Sequence, residues 1–230
     1  MTATSFSRTL SIPVSGLTLT GELAIPRDAR GVVLFAHGSG SSRSSPRNRR
    51  VAAALQQRGL ATLLFDLLTL EEEEIDAVDA RLRFDVDFLA ERLLAATDWL
   101  RDQPIGRTHD FGYFGASTGA AAALIAAARR PDVIRAIGSR GGRPDLAGRA
   151  LADVRAPTLL IVGGADVHVI GLNRAAAVQL GAPCKLEIVP HASHLFEEPG
   201  ALDQVAQLAG EWFVSYLQPR RPEEAVAHPS

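Results

Sequence analysis

A glycine-rich pentapeptide, Gly115-Ala116-Ser117-Thr118-Gly119, places a serine hydroxyl between two glycines. It directly follows an apolar run typical of a buried strand, and it directly precedes an alanine-rich segment that predicts a helix. A G-x-S-x-G sequence in that setting makes a tight strand-to-helix turn that exposes the serine Oγ at the edge of the sheet. The flanking positions approach each other in such a turn, so glycine fits both of them. The pattern predicts that Ser117 is a nucleophile.

A serine hydroxyl is a poor nucleophile without a base, and the chain offers six histidines. His194 lies in the predicted loop between the last strand and the last helix, beyond the carboxyl end of that strand, and is therefore the predicted base. His191 shares this loop but directly follows Pro190, where a local hydrogen bond is the favoured role. His37 is expected to pin its own loop, and His168 receives no role.

The base needs a carboxylate that holds its other ring nitrogen and stabilises the imidazolium. Asp166 follows the run Leu-Leu-Ile-Val-Gly-Gly-Ala and so ends the strand before the one that leads to His194. Ser117, Asp166 and His194 then occur in the chain order that accompanies this kind of turn. Asp66 also ends a predicted strand and is the competing carboxylate, but capping a turn or bonding loop amides is its favoured role. Asp166 is the expected orienting acid.

A second glycine-rich loop, over residues 37–42, follows the first buried strand and should face the same edge of the sheet. Backbone N–H groups there and at the start of a helix can stabilise a developing oxyanion. The predicted donors are the amides of Ser39 and Thr118. The loop matches neither G-x-x-x-x-G-K-[ST] nor G-x-G-x-x-G, which disfavours nucleotide binding.

Arg43, Arg47 and Arg140 are expected in loops at this edge. Arg43 and Arg140 above all could hold a substrate carboxylate bidentately. Pairing of these arginines with the acidic run Glu71–Glu74 is the favoured alternative. The run itself is expected to be a solvated loop or the first turn of a helix. Four consecutive carboxylates cannot converge on one ion from a single helical face, so no metal site is predicted.

Alternating apolar strands and amphipathic helices must position these residues. The segments divide into a hairpin over residues 8–25, buried strands at 31–36, 60–65, 111–114, 133–137, 158–162 and 185–189, and helices at 46–58, 84–103, 118–130, 171–180 and 201–217. This alternation predicts βαβ units, hence an α/β fold with a mostly parallel, doubly wound sheet and an N-terminal antiparallel hairpin. Ligands in such sheets bind beyond the carboxyl ends of the strands.

The length of 230 residues fits one α/β domain, and an apolar fraction of 47% is ample for its core. Residues 1–217 are expected to form that domain, and 218–230 to be a flexible tail. Only about 20 residues separate the strands at 133–137 and 158–162, which leaves no room for a large helical lid. We therefore expect an open pocket and small or short-chain substrates.

Charge and composition disfavour several other classes of protein. A net charge of −2 argues against non-specific attraction to nucleic acid or to an anionic membrane. Cys184 is alone, so no intrachain disulfide can form, and its flank is typical of a buried strand start rather than a nucleophile. No apolar run predicts a membrane span or a signal peptide, and a cytoplasmic location is expected. A homodimer through a sheet edge or the last helix would be compatible with the pattern.

At these residues the chain resembles the α/β-hydrolase superfamily, and within it the dienelactone-hydrolase-like branch. The resemblance covers nearly the whole chain, from residues 37–43 through the Ser117 turn and Gly163-Gly164-Ala165-Asp166 to His194-Leu195-Phe196. It implies hydrolysis of a small-molecule ester, thioester or lactone through an acyl-enzyme, with no metal or organic cofactor.

One departure from the resemblance bears on the substrate. Dienelactone hydrolases proper use a cysteine where this chain has Ser117, which favours a carboxylesterase over an enol-lactone hydrolase. The resemblance also implies side activities on phosphotriesters, and the motifs do not exclude them. Two other functions stay open: a non-catalytic scaffold that binds a ligand or protein partner, and an acyltransferase that uses the same three residues.

Overall fold

A computed structural model describes residues 6–220 of the chain. One eight-stranded sheet runs in the order β1-β2-β4-β3-β5-β6-β7-β8. Its strands are β1 (Phe6–Val14), β2 (Leu17–Ile25), β3 (Gly31–Ala36), β4 (Leu60–Phe65), β5 (Asp110–Ala116), β6 (Ile134–Arg140), β7 (Thr158–Gly163) and β8 (Cys184–Val189). The hairpin β1–β2 and the pair β2–β4 are antiparallel, and the remaining pairs are parallel. The predicted sheet with its N-terminal hairpin is confirmed.

Helices cover both faces of this sheet. They are α1 (Pro46–Gln57), α2 (Leu70–Asp79), α3 (Val86–Arg101), α4 (Pro104–Thr108), α5 (Thr118–Arg129), α6 (Val167–Ala177) and α7 (Ala201–Tyr216). Phe35 and Phe114 pack with Phe213 of α7 in the core on one side, and Tyr113 packs with Leu93 of α3 on the other. Burial on both faces explains why β3 and β4 read as continuous apolar runs.

The acidic run predicted as either a loop or a first helical turn belongs to a helix. Glu71, Glu72 and Glu73 form the first turn of α2, where their charges favour the positive end of the helix. Thr69 caps the helix: its hydroxyl accepts from the Glu72 amide, and the Glu72 carboxylate accepts from the Thr69 amide. α4 and the 3-10 segments Leu82–Phe84 and Pro144–Asp153 were not predicted.

The connection between β6 and β7 carries only the segment Pro144–Asp153, which agrees with the absence of a large lid. At the other end of the domain, the chain stays hydrogen-bonded through Arg220, whose guanidinium donates to Asp110 at 3.1 Å. Residues 221–230 of the expected tail lie outside the described residues.

Cys184 begins β8, and burial raises the pKa of its thiol to about 11. Within residues 6–220, none of the helices has the length and apolar character that a membrane crossing requires.

Candidate active site

Ser117 occupies the turn between β5 and α5 in a strained conformation. Its φ of 51° and ψ of −124° are rare for a residue with a side chain, and such strain persists only where the surroundings enforce it. A Cβ at Gly115 would overlap the backbone of Ala120, and one at Gly119 would overlap the carbonyl of Ala36. Both glycines of the motif are therefore required by close packing of the turn.

Backbone hydrogen bonds hold this turn against the neighbouring strand. The Ser117 amide donates to the Arg140 carbonyl at 3.3 Å, and the Ser117 carbonyl accepts from the Arg143 amide at 3.1 Å. The end of β5 is thereby fixed to the end of β6, and α5 starts directly behind the serine with its positive end toward the sheet edge.

The loop after β3 lies against the serine. A Cβ at Gly38 would come within 2.9 Å of the Ser117 Cβ, so this loop and the turn are in direct contact. The Ser39 amide donates to Thr118 Oγ1 at 3.0 Å, and Thr118 is buried. Both predicted oxyanion donors thus meet at one place, but the Ser39 amide is bonded to the Thr118 hydroxyl. An oxyanion would have to share this amide or displace the hydroxyl.

Asp166 and His194 are brought together as the sequence predicts. Asp166 follows β7 at the N-cap of α6, and His194 lies in the loop between β8 and α7. The distance from His194 Nδ1 to Asp166 Oδ2 is 2.7 Å. The carboxylate is mostly buried, whereas the imidazole is 41% exposed. With Nδ1 held by the carboxylate, Nε2 is the ring nitrogen free to exchange protons.

Gly141 connects His194 to the Ser117 turn. Ala116 and Arg140 are paired in the β5–β6 register, so Ser117 and Gly141 each come one position beyond the pair. Gly141 has a φ of 51°, and a Cβ there would lie 3.5 Å from the His194 Nδ1. Ser117 and His194 therefore share this edge, although no hydrogen bond joins their side chains within the described part of the chain. The contact between Gly141 and His194 could not be predicted from the sequence, because only the folded chain brings the His194 loop over Gly141.

His37, His168 and His191 have other surroundings. His191 is exposed in a left-handed conformation with a φ of 61°, and His168 is exposed on α6. His37 is buried: its Nε2 accepts from the Leu67 amide at 3.0 Å, so Nδ1 carries the hydrogen and donates to the Gly38 carbonyl at 3.1 Å. Burial lowers the pKa of His37, which keeps the ring neutral. His37 pins the loop after β3 to the segment after β4.

The three arginines at this edge have different partners from those expected. Arg43 pairs with Asp66, which also accepts from the Arg43 backbone amide at 2.8 Å. Arg47 lies 3.5 Å from Glu197, and Arg140 is buried with no carboxylate partner in residues 6–220. The favoured pairing with the acidic run was wrong for these arginines, because Glu72 of that run turns toward Arg92 of α3 instead.

A cavity of about 290 Å³ adjoins the Ser39 loop. Residues 37–42 form one wall. The other lining residues come from the segment between β4 and α2, from α2, from the segment between α2 and α3, and from α3: Leu68, Glu73, Asp76, Arg83 and Leu89. Burial and the negative charge of Asp66 raise the pKa of Glu73. Ser39 lines this cavity, and its amide donates to Thr118 beside the nucleophile candidate, so Ser39 links the cavity to the Ser117 turn.

The sheet order, the serine turn after β5 and the acid and histidine after β7 and β8 define an α/β-hydrolase fold. A family model described as the dienelactone hydrolase family matches residues 19–217, and the chain belongs to this family.

Solved structures support the same assignment. A dienelactone hydrolase from Anabaena variabilis is 60% identical with a TM-score of 0.91, over 93% of this chain and 99% of that one. Est1E from Butyrivibrio proteoclasticus is 17% identical with a TM-score of 0.75, over 90% of this chain and 98% of that one, which shows the fold alone. The sequence-based resemblance is therefore confirmed.

A curated relative from Mycobacterium tuberculosis is named as a phosphoribosyl transferase. It is 56% identical over 199 residues, which are 86% of this chain but 44% of that protein. The chain therefore spans less than half the length of the curated relatives that it matches.

Proposed function

We propose that this hydrolase cleaves small carboxylic esters through an acyl-enzyme on Ser117, with His194 as base and Asp166 as its orienting acid. The observation that carries the proposal is the 2.7 Å hydrogen bond between Asp166 and His194 at the edge where the strained Ser117 turn ends β5. A carboxylate on Nδ1 fixes the tautomer whose Nε2 can take a proton. A non-catalytic scaffold would gain nothing from this pair or from the strain at Ser117.

Each group has one role in the proposed reaction. His194 takes the proton from Ser117 as the oxygen attacks the ester carbonyl, and Asp166 stabilises the imidazolium that forms. The Thr118 amide donates to the oxyanion, and the Ser39 amide joins it by sharing or leaving its bond to Thr118 Oγ1, a contribution of about 3–4 kcal/mol per donor in comparable sites. His194 then protonates the leaving alcohol, and water repeats the cycle on the acyl-enzyme.

The cavity beside Ser39 supports short substrates. Its volume of about 290 Å³ is at the lower end of small-molecule sites, and Leu68 and Leu89 are its apolar side chains. Glu73, Asp76 and Arg83 add polar surface that a long alkyl chain would have to desolvate. We therefore expect acetyl to butanoyl esters to be preferred over long-chain esters.

We propose hydrolysis rather than phosphoribosyl transfer as the reaction of this chain. The relative of that name contains more than twice the matched length. The match covers 86% of this chain, so most of it falls within the hydrolase family match over residues 19–217. Acyl transfer to an acceptor other than water uses the same three residues, and a competing alcohol in the assay separates the two reactions by their products.

The test is hydrolysis of p-nitrophenyl esters from acetate to dodecanoate by the wild type, Ser117→Ala and the control Ser215→Ala. Ser215 is exposed on α7 and bonds only a helix carbonyl, so this control tests the loss of a hydroxyl elsewhere. We expect short-chain activity that Ser117→Ala lowers by about 10³-fold or more and that Ser215→Ala leaves unchanged.

Labelling identifies the nucleophile independently of substrate choice. A fluorophosphonate should modify Ser117 in the wild type and in Ser215→Ala, and the adduct should map to the peptide that contains the turn. Absence of both turnover and labelling in the folded wild type would overturn the proposal and favour a ligand-binding scaffold.

A further inference from the structure

Arg140 is a buried cation that has no counter-ion among the described residues. Only 8% of the residue is exposed, and its Nη1 has no hydrogen-bond partner among residues 6–220. Its Nη2 donates to Asn48 Oδ1 at 3.2 Å, which is a neutral acceptor. Burial, together with the charge of Arg47, lowers the pKa of Arg140 to about 10, so the guanidinium still carries its charge at neutral pH. A lone buried charge is strongly unfavourable, which makes this arrangement unusual.

Further donors surround this guanidinium. Arg47 and Asn48 lie in the first turn of α1, a helix of 12 residues whose N-terminal end is positive. Nε of Arg47 is also buried without a partner in the described part of the chain. Because Asn48 Oδ1 accepts from Arg140, the Asn48 amide group keeps its N–H donors for another acceptor. Glu197 is the acid near Arg47, but it lies 3.5 Å away with a side chain that is 65% exposed.

The cluster of Arg140, Arg47 and Asn48 adjoins the candidate active site through the backbone. Arg140 ends β6, and its carbonyl accepts from the Ser117 amide. The residue after it, Gly141, contacts the His194 loop. A group bound by this cluster would therefore sit beside the strand ends that carry the proposed chemistry.

We propose that Arg140, Arg47 and Asn48 form a binding site for a phosphate group carried by the substrate. The two guanidinium groups match the charge of a phosphate dianion better than the single charge of a carboxylate. The backbone amides of the α1 N-terminus add little, because Pro46 has no N–H and the Asn48 backbone amide donates to Ser45 Oγ. The donors come from two elements, since Arg140 ends β6 while Arg47 and Asn48 lie in the first turn of α1. Use of the site by a substrate depends on the proposed hydrolase function, whereas phosphate binding itself does not.

Binding is tested with inorganic phosphate on Ser117→Ala, which cannot turn over an ester. Titration calorimetry and thermal unfolding are measured in sodium phosphate, sodium acetate and sodium chloride at equal ionic strength. Phosphate should bind and raise the Tm above the value in the other two salts. Arg140→Met and Arg47→Gln should each weaken phosphate binding about tenfold to a hundredfold, since each loses hydrogen bonds to a charged group.

The stability of Arg140→Met without phosphate separates phosphate binding by Arg140 from a purely structural role of this residue. Because the buried charge of Arg140 meets no carboxylate within residues 6–220, Arg140→Met should be at least as stable as its parent in phosphate-free buffer. Arg50→Gln is the matched control, since Arg50 lies on the same helix but pairs with Asp203 at the surface. It should bind phosphate as the parent does. If Arg140→Met fails to fold, Arg47→Gln decides the question, because the Arg47 side chain is 34% exposed and its replacement leaves the core intact.

Kinetics show whether the bound phosphate occupies a substrate position. Phosphate should inhibit hydrolysis of p-nitrophenyl acetate by the wild type competitively, with a Ki that rises in Arg47→Gln and not in Arg50→Gln. Four outcomes would each overturn the assignment. The first two are that phosphate does not bind, or that it binds no more tightly than acetate. The other two are that it binds Arg140→Met or Arg47→Gln as tightly as the parent, or that it binds an active wild type without inhibiting it. Absence of ester hydrolysis with intact phosphate binding would count against the proposed function alone.

Discussion

Asp166 is hydrogen-bonded to Nδ1 of His194, so Nε2 is the ring nitrogen that would act on the substrate in the proposed mechanism. An amide in place of the carboxylate could still form a hydrogen bond, but as a donor it would favour the opposite tautomer. The Asp166 side chain is 15% exposed, so little water is available to compensate. At the scale of single residues, this hydrogen bond is the most direct test of the proposed mechanism.

We expect Asp166→Asn to lower kcat for p-nitrophenyl acetate by about 10³- to 10⁴-fold with a small change in KM. Steady-state kinetics give the split between the two constants, and circular dichroism checks that the fold is intact. Asp203→Asn on α7 is the control, because its carboxylate is exposed and distant in sequence from the turn. A kcat within threefold of the wild type would argue against Asp166 as the orienting acid.

Sequence could identify residues whose role follows from their place at a strand end. Ser117, Asp166 and His194 each follow a predicted buried strand, so their common edge was predictable. The surroundings of Arg140 could not be predicted from the sequence, because only folding determines which carboxylates reach its guanidinium. Within residues 6–220 none of them does. The bond from the Ser39 amide to Thr118 Oγ1 is equally a product of tertiary packing between distant segments.

At the scale of elements, His37 joins two connections that border the candidate site. Its neutral ring accepts from the Leu67 amide and donates to the Gly38 carbonyl, so the loop after β3 and the segment after β4 share one buried contact. Protonation of Nε2 would remove the acceptor for the Leu67 amide. The position of the Ser39 loop should therefore depend on a neutral His37.

This contact predicts a pH dependence of stability. Burial lowers the folded-state pKa of His37 below the ordinary value of 6.5, so below pH 6.5 the unfolded state binds more protons than the folded state. The contribution to stability is complete above that pH and decreases as the pH falls, by up to about 1.4 kcal/mol per pH unit.

The measurement is urea unfolding of the wild type and His37→Gln between pH 8 and pH 5. Glutamine offers a neutral acceptor that does not titrate, so the variant should lose less stability on acidification than the wild type. Parallel curves for the two proteins would contradict the assignment of a neutral buried His37.

Sequence predicted the strands better than the shorter helices. The bounds of β3 and β4 match the prediction, because burial on both faces gives continuous apolar runs that end sharply. The sequence did not decide between a loop and a helix for α2. Its exposed face carries Leu70, Ile75 and Val78, and its acidic first turn resembles a solvated loop. Its contacts, Glu72 with Arg92 and Asp76 with Arg83, depend on the folded chain.

At the scale of the whole molecule, the last described residues close the sheet edge opposite the candidate site. Asp110 begins β5, whereas Ser117 follows its end. The Asp110 carboxylate accepts from the Arg220 guanidinium at 3.1 Å and from the Gln218 amide at 3.3 Å. These contacts should contribute to the free energy of unfolding without affecting the proposed ester hydrolysis.

We expect Arg220→Ala to lower the free energy of unfolding by about 1–2 kcal/mol and to leave kcat/KM for p-nitrophenyl acetate unchanged. Both side chains are less than one-fifth exposed, so solvent screening of the pair is limited. Arg107→Ala, an exposed arginine of α4 that bonds only the Asp102 carbonyl, is the control. A loss of activity at temperatures where Arg220→Ala stays folded would show that the two edges are coupled.

Cys184 gives this chain a practical advantage for spectroscopy. Its thiol stays protonated at neutral pH because its pKa is about 11, and maleimides react with the thiolate. A second cysteine introduced at Val78, which is 88% exposed on α2, would therefore take a fluorophore or spin label selectively without removal of the native one. The helix that borders the cavity can in this way be followed in solution while a substrate or phosphate is added.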